Sequence, residues 1–252
     1  MGAFVKWFGL MGWLLAAGVA AEQSPRLAVA AAADLKYALS ELVAAFETQH
    51  PSAKVKVIYG SSGKLYEQIA SGAPFDLFFA ADASFPKLLE EQGLSLPVRL
   101  YARGRIVLWS AVLDASRLDL ERLAQPDIGH IALANPRHAP YGQRAVQALE
   151  RAGVWPKVKA KLVFGENVAQ AAQFAETGSV EVGIIALSLA LSPNLQAKGR
   201  YWLVPEELHE PLEQGYVILK RAQRSPLARR FAEFVGSDAA RAILRRYGFE
   251  LP

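Results

Sequence analysis

Four consecutive small residues, Gly60-Ser61-Ser62-Gly63, form the part of the sequence best suited to hold a ligand. They follow an alternating apolar segment that predicts a strand over 54–59, and they precede a segment that predicts a helix from Lys64 to about Ala70. The start of a helix presents unpaired backbone N–H groups and the positive end of the helix dipole, and the two serines add hydroxyl donors. The pattern therefore indicates a binding site for an oxyanion.

The same turn has two other interpretations. The Gly63-Lys64 pair suggests the phosphate-binding loop of nucleotide hydrolases, but that loop needs a glycine five residues before the pair and Ser or Thr after it. Those positions hold Ile58 and Leu65, so the sequence excludes this loop. A structural role, in which Ser61 or Ser62 only caps the helix, stays open at this point.

A second junction of the same kind lies at Asp34. Residues 26–33 form an apolar run that is typical of a buried parallel strand, and Asp34 follows as a candidate N-cap of an apolar-striped helix. Strand and helix alternate along the chain, which predicts the α/β class with mostly parallel sheets covered by helices. Because ligands bind at the carboxyl edge of such sheets, Asp34 and the two serines should face one site.

The second half of the chain repeats this organisation with different residues. Predicted strands over 131–134 and 161–164 lead into the turn 135–142 and into a helix that starts at Val168. A strand over 216–219 and two C-terminal helices, at about 226–235 and 238–246, should return to the first half. We therefore predict a first lobe (22–102 and 214–252) and a second lobe (103–213), joined by a hinge.

Residues 1–21 are typical of a secretory signal peptide. Lys6 provides the positive charge, the apolar run 7–17 follows, and small residues precede Glu22, where the mature chain should begin in the periplasm. The apolar run is broken by glycines and is shorter than the roughly 20 residues that a membrane span requires. The sequence contains no cysteine that could carry a lipid or form a disulfide.

Composition and charge argue against several classes of protein. With 52% apolar and 21% charged residues, the chain is predicted to be globular rather than disordered. Without residues 1–21 it has 27 Lys and Arg against 24 Asp and Glu, which is only mildly basic. The arginines near the C-terminus are spaced like a solvated helix face and lack interleaved aromatics, so we expect no nucleic-acid partner.

The sequence also lacks the patterns of a catalytic or metal site. The histidines, His50, His130, His138 and His209, show no paired metal-ligand spacing, and there is no Gly-x-Ser-x-Gly motif or thiol nucleophile. His138 near Tyr141 could be a general base, although we expect it in a solvated turn. Asp76 and Asp82 could be a catalytic pair, although capping of turns or the hinge is the favoured interpretation. We predict no enzyme, no cofactor and no bare metal ion.

Six motifs in order resemble the periplasmic molybdate-binding proteins, which are receptors of molybdate ABC transporters and belong to the two-lobed (type II) periplasmic solute-binding class. The motifs are AAADLKYALSEL (31–42), YGSSGKLYEQIASGAPFDLFFAAD (59–82), RGRIVLWS (103–110), ALANPRHAPYGQRA (132–145), GENVAQAAQF (165–174) and VGIIALS (182–188). The resemblance extends from about Leu27 to the C-terminus.

This resemblance implies a monomeric receptor that closes over one tetrahedral oxyanion and delivers it to a membrane permease. The oxyanion would be molybdate or tungstate, which the sequence cannot separate, whereas cavity size should reject the smaller sulfate. The implied ligand-binding positions are Ala33, Asp34, Ser61, Ser62, Tyr141 and Val168. Val168 would contribute only its backbone N–H. A receptor for another small anion, or a hydrolytic enzyme on the same fold, is the alternative.

Two departures from the resembled pattern concern the chemistry of the site. Members commonly have Ser, Thr or Asn at the positions of Ala33 and Asp34. Some have a second tyrosine where this chain has Ala186, and Tyr141 could take over the role of that tyrosine.

The charge of Asp34 is the more serious departure. An ionised carboxylate about 4 Å from a dianion would cost about 4 kcal/mol per charge pair at an effective dielectric constant near 20. Asp34 could be protonated or could indicate another ligand, but we expect its side chain to turn away and cap its own helix.

Overall fold

Strands and helices alternate throughout the computed structural model, which describes Gly2 and residues 26–252. Apart from Gly2, the predicted signal peptide lies outside the described residues. The strands are β1 (Arg26–Ala32), β2 (Lys54–Gly60), β3 (Leu77–Ala80), β4 (Arg99–Gly104), β5 (Ile106–Ser110), β6 (Ile131–Ala134), β7 (Leu162–Gly165), β8 (Val182–Ala186), β9 (Arg200–Leu203) and β10 (Leu212–Ile218). The α-helices are α1 (Lys36–Gln49), α2 (Ser62–Ala70), α3 (Ser84–Glu91), α4 (Pro140–Arg151), α5 (Trp155–Val158), α6 (Val168–Glu176), α7 (Leu187–Ala190), α8 (Pro193–Lys198), α9 (Pro226–Val235) and α10 (Asp238–Arg246).

The strands form two five-stranded sheets with the same internal plan. The first sheet has the order β2-β1-β3-β10-β4 and the second has the order β7-β6-β8-β5-β9. In each sheet three neighbouring strands are parallel, and the fourth runs antiparallel to both of its neighbours. The chain passes between the sheets in two places, from β4 to β5 and from β9 to β10. The α/β class with two mostly parallel sheets, predicted from the alternation, is confirmed.

Apolar side chains bury both faces of the first sheet. Because neighbouring residues of a strand point to opposite faces, Ala31 and Phe79 join the core formed with α1, α9 and α10. Ala30 and Phe78 point the other way and pack against residues of α2 and α3. A sheet covered on both sides exposes only its edges and strand ends, and the strand ends are where the site can form.

Two parallel pairs bring the strand-to-helix junctions together. Ala32 at the end of β1 lies opposite Gly60 at the end of β2, and Ala134 at the end of β6 lies opposite Gly165 at the end of β7. The chain leaves β1 through a short 3-10 helix, Ala33–Leu35, and leaves β2 and β7 directly into α2 and α6. The fold therefore holds these junctions at the carboxyl edges of the two sheets.

Several element predictions agree with the structure, whereas two strands were missed and one predicted strand starts too late. The strand at 131–134 and the helices at 226–235 and 238–246 have the predicted bounds. The strands β4 and β9 were not predicted, since both are edge strands whose exposed residues break the apolar pattern. The strand predicted over 216–219 in fact begins at Leu212. The lobe boundaries stay a prediction.

Candidate functional site

A small cavity lies where the junctions of the two sheets meet. About 190 Å³ of its space is free of atoms, counting the part that is open to solvent, and about 10 Å³ admits the centre of a water-sized sphere. Its lining residues are Ala32, Ala33, Asp34, Gly60, Ser61, Ser62, Ala81, Ala139, Pro140, Tyr141, Asn167 and Val168. The structure therefore brings together all six residues predicted for the site, and their role in ligand binding stays a prediction. Among the described residues, no lysine or arginine lines the cavity.

Ser62 is the first residue of α2 and presents a free hydroxyl proton. Its Oγ accepts a hydrogen bond of 3.0 Å from the backbone N–H of Ala81, and the residue is 1% exposed. A hydroxyl that accepts one bond keeps its own proton for another acceptor. The backbone N–H of Ser62 also has no acceptor within its own helix, because it lies in the first turn. Ser62 can therefore donate two hydrogen bonds.

Ser61 occupies the N-cap position of α2 without capping it. Its hydroxyl makes no bond to the helix and instead lies 2.8 Å from Nδ1 of His138, which belongs to the opposite side of the cleft. The carbonyl of His138 also accepts a 2.9 Å hydrogen bond from the N–H of Gly63. A Cβ at Gly63 would lie 2.8 Å from that carbonyl oxygen, so this close approach requires glycine. His138 lies in a turn, as expected, but it is half-buried rather than solvated.

Val168 begins α6 and offers only its backbone. The preceding Asn167 caps the helix, because its Oδ1 accepts from the N–H groups of Ala169 at 3.0 Å and Gln170 at 3.1 Å. The N–H of Val168 is not among those satisfied by the cap and has no acceptor within the helix. This geometry leaves one donor of α6 for a ligand in the cavity.

Tyr141 and Asp34 meet across the cleft in a buried network. The Tyr141 hydroxyl donates to Oδ2 of Asp34 at 3.1 Å, and the amide nitrogen of Gln214 donates to the same oxygen at 2.7 Å. The amide oxygen of Gln214 in turn accepts from the hydroxyl of Tyr101. A Cβ at Gly104 would lie 2.3 Å from the Tyr141 hydroxyl oxygen, so the backbone of β4 fits closely against the network.

The capping role expected for Asp34 is wrong. No side-chain hydrogen bond caps the 3-10 helix or α1, and Asp34 lies within the 3-10 helix rather than before it. The carboxyl group is directed into the interior, where it is 1% exposed and accepts from Tyr141 and Gln214. Its second oxygen, Oδ1, is buried and has no hydrogen-bond partner.

Burial dominates the ionisation of this network. Burial raises the pKa of Asp34 to about 6, against the lowering effect of the hydrogen bonds from Gln214 and Tyr141. Burial also raises the pKa of the Tyr141 and Tyr101 hydroxyls well above 10, and the nearby Asp34 charge adds to that increase. Both tyrosines are therefore neutral donors at any physiological pH.

Two further contacts join the sides of the cleft. Ser188 donates a 2.7 Å hydrogen bond to the backbone carbonyl of Asp34, and Arg144 lies 3.0 Å from Oδ2 of Asp82. The other oxygen of Asp82 accepts from the N–H of Ser84, so this residue caps a turn as predicted. Ala186, where the resembled family can have a tyrosine, does not line the cavity.

Local sequence patterns identify some of the residues around this site and miss others. Asn167 could have been identified as a cap, since Asn directly before an apolar helix is a strong N-cap signal. Gln214 and Ser188 could not, because they meet Asp34 across 180 and 154 residues of sequence and lie in segments with no local motif.

The described residues show neither a membrane span nor a cluster for a metal cation. No helix among them combines the length and apolar character needed to cross a bilayer. Within the same part of the chain, no group of three or more His, Cys, Asp or Glu side chains could hold a metal ion.

Comparison with known proteins gives consistent matches over nearly the whole chain. A family described as bacterial extracellular solute-binding protein matches residues 27–250. The molybdate-binding protein ModA of Rhodobacter capsulatus is 37% identical over 223 residues, which cover 87% of this chain and 86% of that protein. ModA of Azotobacter vinelandii is 37% identical over 238 residues, 92% of each chain. The solved structure of the Azotobacter vinelandii periplasmic molybdate-binding protein matches with a TM-score of 0.85 and 34% identity, covering 90% of this chain and 99% of that one.

Proposed function

The chain belongs to the bacterial extracellular solute-binding protein family, and we propose that it is the periplasmic molybdate receptor of an ABC transporter. It binds the oxyanion in the cavity between the two sheets and delivers it to a membrane permease. Relatives that are 37% identical over most of their length are molybdate-binding proteins, which supports this ligand. Those relatives are binding proteins rather than enzymes, and we extend this to the present chain.

One observation carries the proposal. The first turns of α2, α4 and α6 reach the same small cavity, through Ser62, Tyr141 and Val168, and no lysine or arginine in the described part of the chain lines it. Helix starts provide N–H donors and a partial positive charge without a bulky cation. Such a lining suits a small, fully deprotonated oxyanion that is held by several hydrogen bonds at once.

The ligand-contacting set that we propose divides between the two sides of the cleft. Ser62 supplies a hydroxyl from the first side, Ser61 adds a second when its oxygen accepts from Nδ1 of His138, and Val168 supplies its N–H from the second side. Ala33 leaves room for the ligand, and Tyr141 and Asp34 close the cavity. Tungstate, which is tetrahedral and nearly equal in size, should bind as well.

Closure follows from donors that lie on both sides of the cleft. A ligand that bonds to both sides stabilises the closed arrangement, in which His138 reaches Gly63 and Tyr141 reaches Asp34. We propose that the mature chain starts near Glu22 and acts as a monomer.

Isothermal calorimetry of the purified mature protein tests this function. We expect heat of binding with molybdate and with tungstate at one site per chain, and much weaker binding of sulfate and phosphate. Phosphate carries a proton at neutral pH and sulfate is smaller, so neither matches the donors and the size of the cavity. Absence of binding by both molybdate and tungstate would refute the proposal, as would turnover of a hydrolysable substrate without tight oxyanion binding.

A further inference from the structure

Asp34 differs from two half-buried carboxylates of the first sheet's loops, Asp76 and Asp82. Asp82 lies 3.0 Å from Arg144, and Asp76 lies 3.5 Å from Arg221. Asp34 has no Lys, Arg or His side chain within 4.0 Å in the described part of the chain, although it is more deeply buried than either. An ionised carboxylate in such a place lacks compensation for its lost hydration. The surroundings of Asp34 therefore favour its neutral form.

The two oxygens of this carboxyl group have different environments. Oδ2 accepts from Tyr141 and from Gln214, and the orientation of the Gln214 amide is fixed because its oxygen accepts from Tyr101. In the described part of the chain Oδ1 has no donor in hydrogen-bond geometry, although the nearby backbone N–H groups of Asp34 and Leu35 lower the pKa of the carboxyl group, and Asp34 lines the cavity proposed for the oxyanion. A proton on this carboxyl group therefore has room on Oδ1 and not on Oδ2.

We propose that Asp34 is a specificity-determining residue of the oxyanion site that acts as a neutral carboxylic acid, with Oδ1 carrying the proton and donating it to a ligand oxygen. This inference rests on the proposed function and adds that each dianion binds together with one proton, which the carboxylate takes up from the solvent. Oδ2 continues to accept from Tyr141 and Gln214. An oxyanion that brings its own proton gains no such advantage, because the neutral acid offers it a donor where it needs an acceptor.

The other side chains of the network around Asp34 do not change protonation near neutral pH, so the expected titration belongs to Asp34 itself. Tyr141 on α4 and Tyr101 on β4 stay protonated, since burial raises the pKa of both hydroxyls well above 10. Gln214 on β10 and Ser188 on α7, which also contact Asp34, do not titrate. Burial already raises the pKa of Asp34 to about 6 without a ligand, and a dianion nearby would raise it further. Proton uptake should therefore be largest at neutral and slightly alkaline pH.

Calorimetry with molybdate in buffers of different ionisation enthalpy measures this uptake. For the wild-type protein at pH 7.5 we expect about one proton bound per molybdate, and an affinity that rises roughly tenfold for each unit of pH lowered between 8 and 6.5. Asp34→Asn supplies an amide donor without a proton to gain, so it should bind molybdate with no uptake and little pH dependence. Asp76→Asn is the matched control, because it removes a carboxylate outside the cavity, and it should behave like the wild type.

Each of the other outcomes is decisive. Molybdate binding by the wild type without proton uptake, or uptake that persists in Asp34→Asn, would overturn the role of Asp34 and leave the proposed function intact. A preference for phosphate over molybdate, without uptake, would show an ionised Asp34 that accepts a proton from the ligand and would also overturn it. No binding of any oxyanion by the wild type at any pH would refute the proposed function itself. If Asp34→Asn does not fold, as judged by circular dichroism, the wild-type uptake decides together with His138→Gln, which removes the imidazole 2.8 Å from Ser61: uptake that persists in this variant supports Asp34, and uptake that is lost overturns its role.

Discussion

The junctions β2-to-α2 and β7-to-α6 occupy matching places in the two sheets, yet they offer different chemistry to the cavity. In the first, the N-cap residue Ser61 leaves its helix uncapped and directs its hydroxyl across the cleft to His138. In the second, the N-cap residue Asn167 uses its side chain to bond Ala169 and Gln170 within its own helix. The first side therefore provides side-chain donors, whereas the second provides a backbone donor.

This contrast shows why the location of a helix start does not by itself define a binding site. Both junctions have the dipole and the unpaired N–H groups that attract an anion. A capping side chain accepts hydrogen bonds from some of these N–H groups, so that they are no longer free for an anion. A side chain that does not cap its helix remains available to the ligand or to residues on the opposite side of the cleft. The first side should therefore depend on side-chain identity and the second on the backbone.

The largest effect that we expect concerns Asp34, which lies at the neighbouring junction after β1. Its raised pKa means that the unfolded chain ionises first as the pH rises, so folding stability is full below pH 3.8 and is lost as the pH passes through 6. Relative to Asp34→Asn, the wild type should lose about 2–3 kcal/mol of unfolding free energy between pH 4 and pH 7. Urea denaturation of both proteins across this range measures the difference. A constant difference would contradict the burial of an uncompensated carboxyl group.

Ser62→Ala should produce the next largest effect, on ligand affinity. A hydrogen bond to a charged group contributes about 1.5–3 kcal/mol, so molybdate binding should weaken roughly ten- to a hundredfold at 1.4 kcal/mol per tenfold. Calorimetry measures the change, with Ser84→Ala on the exposed start of α3 as the control. Unchanged affinity in a folded variant would assign Ser62 a structural role through Ala81 alone.

The backbone side of the contrast can be tested with proline at position 168. Proline is tolerated in the first position of a helix and has no N–H, and the extended backbone of Asn167 suits a residue before proline. Val168→Pro should therefore keep α6 and weaken molybdate binding by roughly tenfold, for loss of about one hydrogen bond.

Val168→Ala provides the matched control for this substitution. It retains the N–H and removes only buried methyl groups, so it should lower stability while leaving affinity nearly unchanged. Equal affinity of the proline and alanine variants, as measured by calorimetry, would show that the N–H of Val168 does not reach the ligand.

The smallest expected effect separates capping from binding. Asn167→Ala removes the cap of α6 and should lower the unfolding free energy by about 1 kcal/mol, while the affinity for molybdate changes by less than the effect of Ser62→Ala. Thermal unfolding and calorimetry on the same sample measure both quantities. A large loss of affinity with unchanged stability would instead place the Asn167 side chain on the ligand and remove the contrast between the junctions.

Patterns within one segment were sufficient for most of the fold and for part of the site. The alternation of strand and helix predicted the α/β class, and the small residues at Ser61 and Ser62 marked a cavity lining because they follow a strand directly. Tyr141, Val168 and Ala33 came from the resemblance to a family rather than from local chemistry. Their meeting at one cavity depends on the way the two sheets face each other.

Asp34 shows where local patterns fail. An aspartate between a strand and a helix is equally suited to capping and to an interior network, and the choice depends on Gln214 and Tyr141, which are distant in sequence. The edge strands β4 and β9 escaped prediction for a related reason, since their exposed residues follow no apolar pattern. In each case the deciding contact is tertiary.

A crystal structure of the protein with molybdate, using the anomalous scattering of molybdenum, shows whether the cavity between the two sheets holds the oxyanion. We predict one strong anomalous peak in the cavity, with ligand oxygens at hydrogen-bond distance, roughly 2.7–3.2 Å, from Ser62 Oγ and from the backbone nitrogen of Val168. A peak outside this cavity, or a cavity that stays free of molybdenum in crystals grown with saturating molybdate, would contradict the account.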